Sequence, residues 1–402
     1  MHRDISMPEK EPETHGQPSL VSIFTAFLRL GLTAFGGPAM VPYIRDMAVR
    51  RKAWLSEDLF RLGMAVCQSV PGATAMQAAA YVGLRCRGVA GALAAYLGFG
   101  LPAFVLIVVL SVLYAHSLDV KPVLAAFEGL KIVVVALIAN AAVNFSRKYL
   151  TRAADKLLAL AAGVILGLEG NPILAILGVC VAGVFIYREY PGGQGPARAQ
   201  GQAPVSYRPL RTLALLCLAV GFALAVLFLL DRFLFELAMV MIKVDLFAFG
   251  GAYVSLPIML HEVTTARAWM TPEVFMDGIA LGQVTPGPIL MTAGFVGYVV
   301  KGLLGALVGA VAAFTPSFLI LTAAVPYFDR LQSSFVFKRA LRAGLASLVG
   351  LMAAIAGRFF LVVDWDVYGA CLALAAFTAL RLKIDILWVV LGGAALAALF
   401  LQ

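Results

Sequence analysis

Gln68-Ser69-Val70-Pro71-Gly72 returns further along the chain as Gln283-Val284-Thr285-Pro286-Gly287, an offset of 283 − 68 = 215. The agreement spreads outward from this pair. Upstream, Trp54 recurs as Trp269 at the same offset, and Phe35-Gly36-Gly37 recurs as Phe249-Gly250-Gly251 at 249 − 35 = 214, so one residue has been inserted between the two motifs. Downstream, Arg87-Gly88, Gly91-Ala92-Leu93 and Pro102 return as Lys301-Gly302, Gly305-Ala306-Leu307 and Pro316, again 214 apart. Chance similarity between apolar segments would not preserve Gly, Pro, Gln and Trp together, so the chain is an internal duplication.

The solvent of that duplication follows from composition. Of 402 residues, 62% are hydrophobic and 13% charged, too little polar surface to cover a water-soluble body of this size. Four stretches, Val89 to Tyr114, Pro122 to Phe145, Thr212 to Leu230 and Leu303 to Ala324, reach the length of about 20 apolar residues that a membrane helix needs. The expected architecture is an all-α, polytopic integral membrane protein. It divides into a cytoplasmic tail (1–19), a first repeat (20–188), a Gly- and Pro-rich cytoplasmic linker (189–210), one connecting transmembrane helix (211–233) and a second repeat (234–402). The tail is polar, and the apolar stretch after it carries Arg29 and lacks a small-residue cleavage pattern, so no cleaved leader is expected.

A single connecting helix between halves that each cross an even number of times makes the second half enter from the opposite side, an inverted-topology repeat. The charges agree. Arg45, Arg50, Arg51, Lys52, Arg85, Arg87, Arg147, Lys148, Arg152, Lys156, Arg188, Arg330, Lys338, Arg339, Arg342, Arg381 and Lys383 then gather on one side, and the opposite loops carry Asp119, Glu169, Asp231, Glu236, Glu262, Glu273, Asp277, Asp364 and Asp366 against only Lys121, Arg232, Arg267 and Lys301. This is the positive-inside pattern, so the formal charge of +9 reports orientation, with the N-terminus cytoplasmic, rather than a nucleic-acid partner.

Each half opens with apolar stretches too short to cross, such as Leu20 to Phe35, Pro38 to Val49, Leu59 to Val70 and Ala73 to Leu84, interrupted by Gly-Gly and Pro-Gly. These predict broken or re-entrant helices, or alternatively tilted hairpins bent at glycine. Paired breaks in corresponding halves point to a central transport site, and helix starts near Pro38, Ala73, Ala252 and Pro288 would offer free N–H groups and a positive dipole end to an anion. Gly36, Gly37, Pro38, Pro71, Gly72, Gly250, Gly251, Pro286 and Gly287 are therefore candidate binding positions, against the alternative that the glycines serve close packing. Gln68 and Gln283 offer uncharged amide donors, or else bond to each other between helices. Gln77, Thr285, Thr292, Tyr253 and Ser69 are further candidate donors. Arg29 and Lys243 stand at equivalent places, 243 − 29 = 214, and either attract an anion or serve structure by snorkelling or by pairing of Lys243 with an acid such as Asp245. Lys131 is expected to pair with Glu128 one turn earlier. Asp245 is the candidate coupling acid. Five scattered cysteines and four isolated histidines predict no metal and no cofactor.

Phe35-Gly36-Gly37-Pro38, Trp54-Leu55-Ser56-Glu57, Gln68-Ser69-Val70-Pro71-Gly72 and Gly88-Val89-Ala90-Gly91-Ala92-Leu93, with the second set at Phe249, Trp269, Gln283 and Gly302, resemble the chromate ion transporter family in its long, two-domain form. The resemblance covers nearly the whole chain. It implies export of chromate from the bacterial cytoplasm across the inner membrane, with sulfate as a similar tetrahedral competitor; the composition makes the lipid bilayer the surroundings, and a homo-oligomer stays open. One departure is Ala73-Thr74 after the first Pro-Gly, where many family members carry a second proline, as Pro288 does in the second half. The alternatives are transport of another small anion, or a membrane-embedded enzyme acting on lipid. The enzyme would need a cluster of carboxylates or histidines at a membrane face, and the sequence offers none.

Overall fold

The computed structural model describes residues 17–33, 40–117, 120–188, 209–327 and 334–400, and within them the two halves repeat the same seven helices in the same order. The first half comprises α1 (Leu20–Thr33), α2 (Met40–Arg45) prolonged by a π turn (Asp46–Arg51), α3 (Glu57–Ser69), α4 (Thr74–Ser117), α5 (Lys121–Tyr149), α6 (Ala153–Gly167) and α7 (Pro172–Ile186). A connecting helix, α8 (Pro209–Leu230), begins two residues before its expected start and has no buried residue among residues 211–230, so it lies at the periphery. The second half comprises α9 (Arg232–Leu246), α10 (Ser255–Leu260) between a 3-10 turn (Ala252–Val254) and a π turn (His261–Ala266), α11 (Pro272–Val284), α12 (Thr292–Ala324) after a 3-10 turn (Ile289–Met291), α13 (Phe335–Val362), α14 (Val367–Arg381) and α15 (Ile386–Phe400). The expected tail (1–19) and linker (189–210) fall mostly outside the described residues.

The duplication extends to backbone detail. The Trp54 N–H donates to the Ala48 carbonyl and the Trp269 N–H to the Val263 carbonyl, both at 2.8 Å. Ser56 caps α3 by accepting from Leu59 N–H, and Thr271, its counterpart, caps α11 by accepting from Val274 N–H. Inside α4 the chain breaks at Arg87 (φ −145, ψ 30) and Gly88 (φ 61, ψ −152), and inside α12 at Lys301 (φ −147, ψ 23) and Gly302 (φ 61, ψ −149). Only glycine holds that second conformation without strain. The helix folds back there, because a Cβ on Gly83 would stand 2.1 Å from the Gly91 carbonyl oxygen, and one on Gly297 2.0 Å from that of Gly305. The two arms of each helix thus touch backbone to backbone through small residues.

The expected half-helices are re-entrant hairpins. α3, at 13 residues, spans about 20 Å, well short of a hydrocarbon core of about 30 Å. It runs antiparallel to the first arm of α4: the Tyr81 hydroxyl donates to the Leu59 carbonyl at 3.0 Å near the hairpin's base, and Pro71-Gly72 forms the tip. α11 and the first arm of α12 repeat this, with Gly278 against the Phe295 ring and Pro286-Gly287 at the tip. α9 and α10 form a third hairpin, laced by Lys243–Glu262 at 3.0 Å and Arg267–Glu236 at 2.8 Å, with Gly250-Gly251 at its tip. The corresponding residues of the first half, Gly36, Gly37 and Pro38, lie outside the described residues.

Cross-half contacts show the inversion. Asp155, in the first turn of α6, pairs with Arg342 near the start of α13 at 2.7 Å, and Glu169, just past the end of α6, pairs with Arg358 near the end of α13 at 3.5 Å. α6 is the return stroke after α5, so α13 starts at the face where α5 ends. That face carries Arg147, Lys148, Arg152, Lys338, Arg339 and Arg381; the opposite face carries Glu169, Asp231, Glu236, Glu273, Asp364 and Asp366. Two acids expected in loops lie elsewhere. Asp277 is buried in α11 and accepts from the Tyr114 hydroxyl at 2.9 Å, and Glu262 is buried between Lys243 and Arg267. Both belong to hairpins that sink inward from the acidic face.

Gly302 has open space where a Cβ would go, whereas Gly297 does not. Gly302→Ala should therefore lower stability only through backbone strain, by about 1–3 kcal/mol, read as a drop in thermal midpoint in detergent. Gly297→Ala should be worse, because it forces the two arms apart; equal stability of both variants and the parent would refute the folded-back arms.

Candidate substrate-binding site

The hairpin tips of the two halves meet at the centre. Gly72 N–H donates to the Ala248 carbonyl at 2.9 Å, tying the Pro-Gly tip of the first half to the Gly-Gly tip of the second. Each Pro-Gly break presses on a crossing arm of the other half. At Gly72 (φ +118) an added Cβ would lie 2.2 Å from Ser317 Cβ, and at Gly287 (φ +144) 2.6 Å from Ala103 Cβ. Ala103 and Ser317 are counterparts, each following the helix proline Pro102 or Pro316.

Between the tips lies a cavity of about 370 Å³. Three helical starts border it: Ala73-Thr74-Ala75 at the head of α4, Gly251-Ala252 at the 3-10 turn before α10, and Pro288-Ile289 at the 3-10 turn before α12. Gln77 N–H bonds the Ala73 carbonyl at 3.0 Å, Val254 N–H that of Gly251 at 3.1 Å and Met291 N–H that of Pro288 at 2.9 Å, so the amides preceding each have no partner within their helix. These N–H groups and the positive dipole ends suit an anion. No carboxylate is among the described lining residues.

Of the residues singled out in the sequence, the fold brings Gln68, Gly250, Gly251, Tyr253, Gln283, Thr285 and Gly287 to this cavity. Gln283 Nε2 is buried without a hydrogen-bond partner, which leaves a donor unspent at the cavity wall, and the Tyr253 side chain reaches the same amide. The Thr285 hydroxyl donates to the Gly282 carbonyl at 2.8 Å.

Other candidates build the frame instead. The Gln77 amide donates to the Pro71 carbonyl and holds the tip that Pro71 and Gly72 form, as Pro286 does in the second half. Thr292 donates to the Ile289 carbonyl at 2.8 Å and Ser69 to that of Ala65 at 2.7 Å. Arg29 is exposed on α1 and is not among the cavity's lining residues. Lys243 pairs with Glu262 rather than Asp245, because the α9–α10 hairpin brings together residues 19 apart in sequence. Asp245 is fully buried behind the tips, where one carboxylate oxygen accepts from Ser317 N–H at 2.7 Å and the other has no partner. Lys131 and Glu128 pair at 2.8 Å.

Sequence reasoning missed the last turn of α5. Phe145, Lys148 and Tyr149 line the cavity where it opens toward the basic face. In the sequence they belong to no motif, and Lys148 reads only as one more orienting charge.

The family model described as chromate transporter matches residues 21–184 and 235–398, one match to each half. The chain is 40% identical to an uncharacterised transporter of Methanocaldococcus jannaschii over 94% of each chain. It is similar, at 32% identity, to a chromate transport protein of Pseudomonas aeruginosa over 83% of this chain and 80% of the relative. The corresponding values for a chromate transport protein of Cupriavidus metallidurans are 30%, 76% and 73%. No solved structure matches.

Gln283→Leu keeps side-chain volume and removes the unspent donor. The site geometry predicts an unchanged thermal midpoint with at least about tenfold weaker oxyanion binding, the loss of one hydrogen bond to a charged group. A destabilised protein with unchanged binding would mean that the amide serves packing alone.

Proposed function

The chain belongs to the chromate transporter family, and on that premise we propose that it carries chromate through the membrane as a secondary transporter, holding the dianion between the helical starts at Ala73, Ala252 and Pro288. Members of this family are transporters, and the chain is a transporter rather than an enzyme. The observation that carries the proposal is the cavity itself, a cluster of unspent N–H donors and two amides with no acid among its described lining residues.

A buried dianion is costly unless each oxygen keeps its hydrogen bonds. Backbone N–H groups, Gln68 and Gln283 supply donors around a tetrahedral ion without the affinity of a fixed ion pair, which suits a ligand that must also leave. Sulfate has the same charge and shape and is the expected competitor. The cavity opens beside Lys148 at the basic face, which the positive-inside rule makes cytoplasmic, so the structure supports loading from the cytoplasm and export across a bacterial inner membrane, with the chain's N-terminus also inside. Alternating access would come from the crossing arms rocking around the paired tips. Asp245, buried with one oxygen unpartnered, is the group we assign to coupling.

Labelled chromate flux in inverted vesicles tests the proposal. The parent should accumulate chromate, excess sulfate should suppress the uptake, and Gln68→Ala and Gln283→Ala should each lower it by about tenfold or more at matched expression. A parent that moves no chromate would remove chromate as the substrate.

A further inference from the structure

The three helical starts around the central cavity offer it hydrogens and keep their oxygens for themselves. The Ala73 carbonyl is taken by Gln77 N–H at 3.0 Å, that of Gly251 by Val254 N–H at 3.1 Å and that of Pro288 by Met291 N–H at 2.9 Å. The N–H groups of Thr74, Ala75, Ala252, Tyr253, Ile289 and Leu290 have no such partner within their helices. Starts from opposite halves come close: a Cβ on Gly251 would stand 3.8 Å from the Thr74 hydroxyl oxygen.

The side chains lean the same way. Lys148 can only donate, and Gln283 Nε2 is buried with no partner. Neutral acceptors are present: the Thr285 oxygen, whose proton goes to the Gly282 carbonyl at 2.8 Å, and the amide oxygens of Gln68 and Gln283. None of them carries a negative charge, and an amide that turns its oxygen inward withdraws its own Nε2 donor. No carboxylate stands among the described lining residues. The buried acid behind the tips, Asp245, holds Ser317 N–H at 2.7 Å and does not line the cavity. The six residues between α1 and α2, Ala34 to Ala39, contain no acid either.

That imbalance bears on an ion's hydrogens as well as on its charge. Sulfate and hydrogenphosphate have the same charge, the same tetrahedral shape and nearly the same size, but one oxygen of hydrogenphosphate carries a hydrogen. Every oxygen of sulfate or chromate can accept from a wall of N–H groups. An O–H set among donors strands its own hydrogen and one N–H of the wall, and a buried donor without an acceptor is costly. A site built for one hydrogen-bonding pattern rejects an analogue that breaks it far more strongly than shape alone allows. We propose that the central cavity selects oxyanions by protonation state: it takes tetrahedral dianions free of O–H, the class of chromate, sulfate and selenate, and refuses hydrogenphosphate, hydrogenarsenate and singly protonated chromate. This selectivity rests on the oxyanion reading of the cavity. Phosphate then neither competes for the site nor leaks through it.

Equilibrium dialysis of the full-length chain in detergent at neutral pH, with labelled sulfate and labelled phosphate as probes, tests this directly. The parent should bind phosphate at least about tenfold more weakly than sulfate. Gln68→Glu, at an exposed lining position, supplies a charged acceptor and should narrow that gap by about tenfold. A second measurement needs no variant. Acidification protonates chromate while sulfate stays fully ionised, so the affinity for chromate should fall relative to that for sulfate. Phosphate bound within about threefold of sulfate, a gap that Gln68→Glu leaves unchanged, or a chromate-to-sulfate ratio indifferent to acidification would overturn the selectivity while the oxyanion site stands. A parent that binds none of these anions would overturn the oxyanion reading, and the selectivity with it.

Discussion

Unwound backbone at membrane depth must be covered, because each N–H or C=O left facing lipid costs several kcal/mol. Here the cover for one half is the other half. Gly72 N–H bonds the Ala248 carbonyl across the repeat boundary, the Pro71-Gly72 tip rests on Ser317 and the Pro286-Gly287 tip on Ala103. Each half covers the other's Pro-Gly tip, which gives a physical reason for the halves to be interlocked rather than set side by side. It also explains glycine at those places: a Cβ at Gly72 or Gly287 would meet the opposing arm, and both residues hold positive φ.

The same constraint generates the chemistry. Breaking the helices frees first-turn N–H groups, and covering the breaks from both sides leaves a small cavity bordered by those helical starts. The duplicated pair of cations does not enter that cavity: Lys243 is neutralised by Glu262, and Arg29 stands outside on α1.

Much of this was legible in the sequence because glycine, proline and helix length act locally. The recurrence of Gln-x-x-Pro-Gly located the tips, the short apolar stretches marked the half-helices, and the Arg87-Gly88 step separated Ala73–Leu84 from the span beginning at Val89, where the helix folds back. Gln68 and Gln283 followed from the same repeat. What escaped depends on three-dimensional pairing. Lys243 finds Glu262 through a hairpin whose closure no periodicity encodes, and Asp277 reads as a loop acid until the α11 hairpin carries it inward to Tyr114. Lys148 and Tyr149 belong to no motif, and their place at the cavity mouth arises only when α5 ends beside the tips of both halves.

The central claim is that the substrate sits where the tips of the two halves meet. Chromium anomalous scattering from crystals of the chain grown with chromate measures this directly. The account predicts a peak between Ala73, Ala252 and Pro288, within reach of the Gln68 and Gln283 amides. A peak beside Arg29 or Lys243, with the cavity between the tips empty, would contradict it.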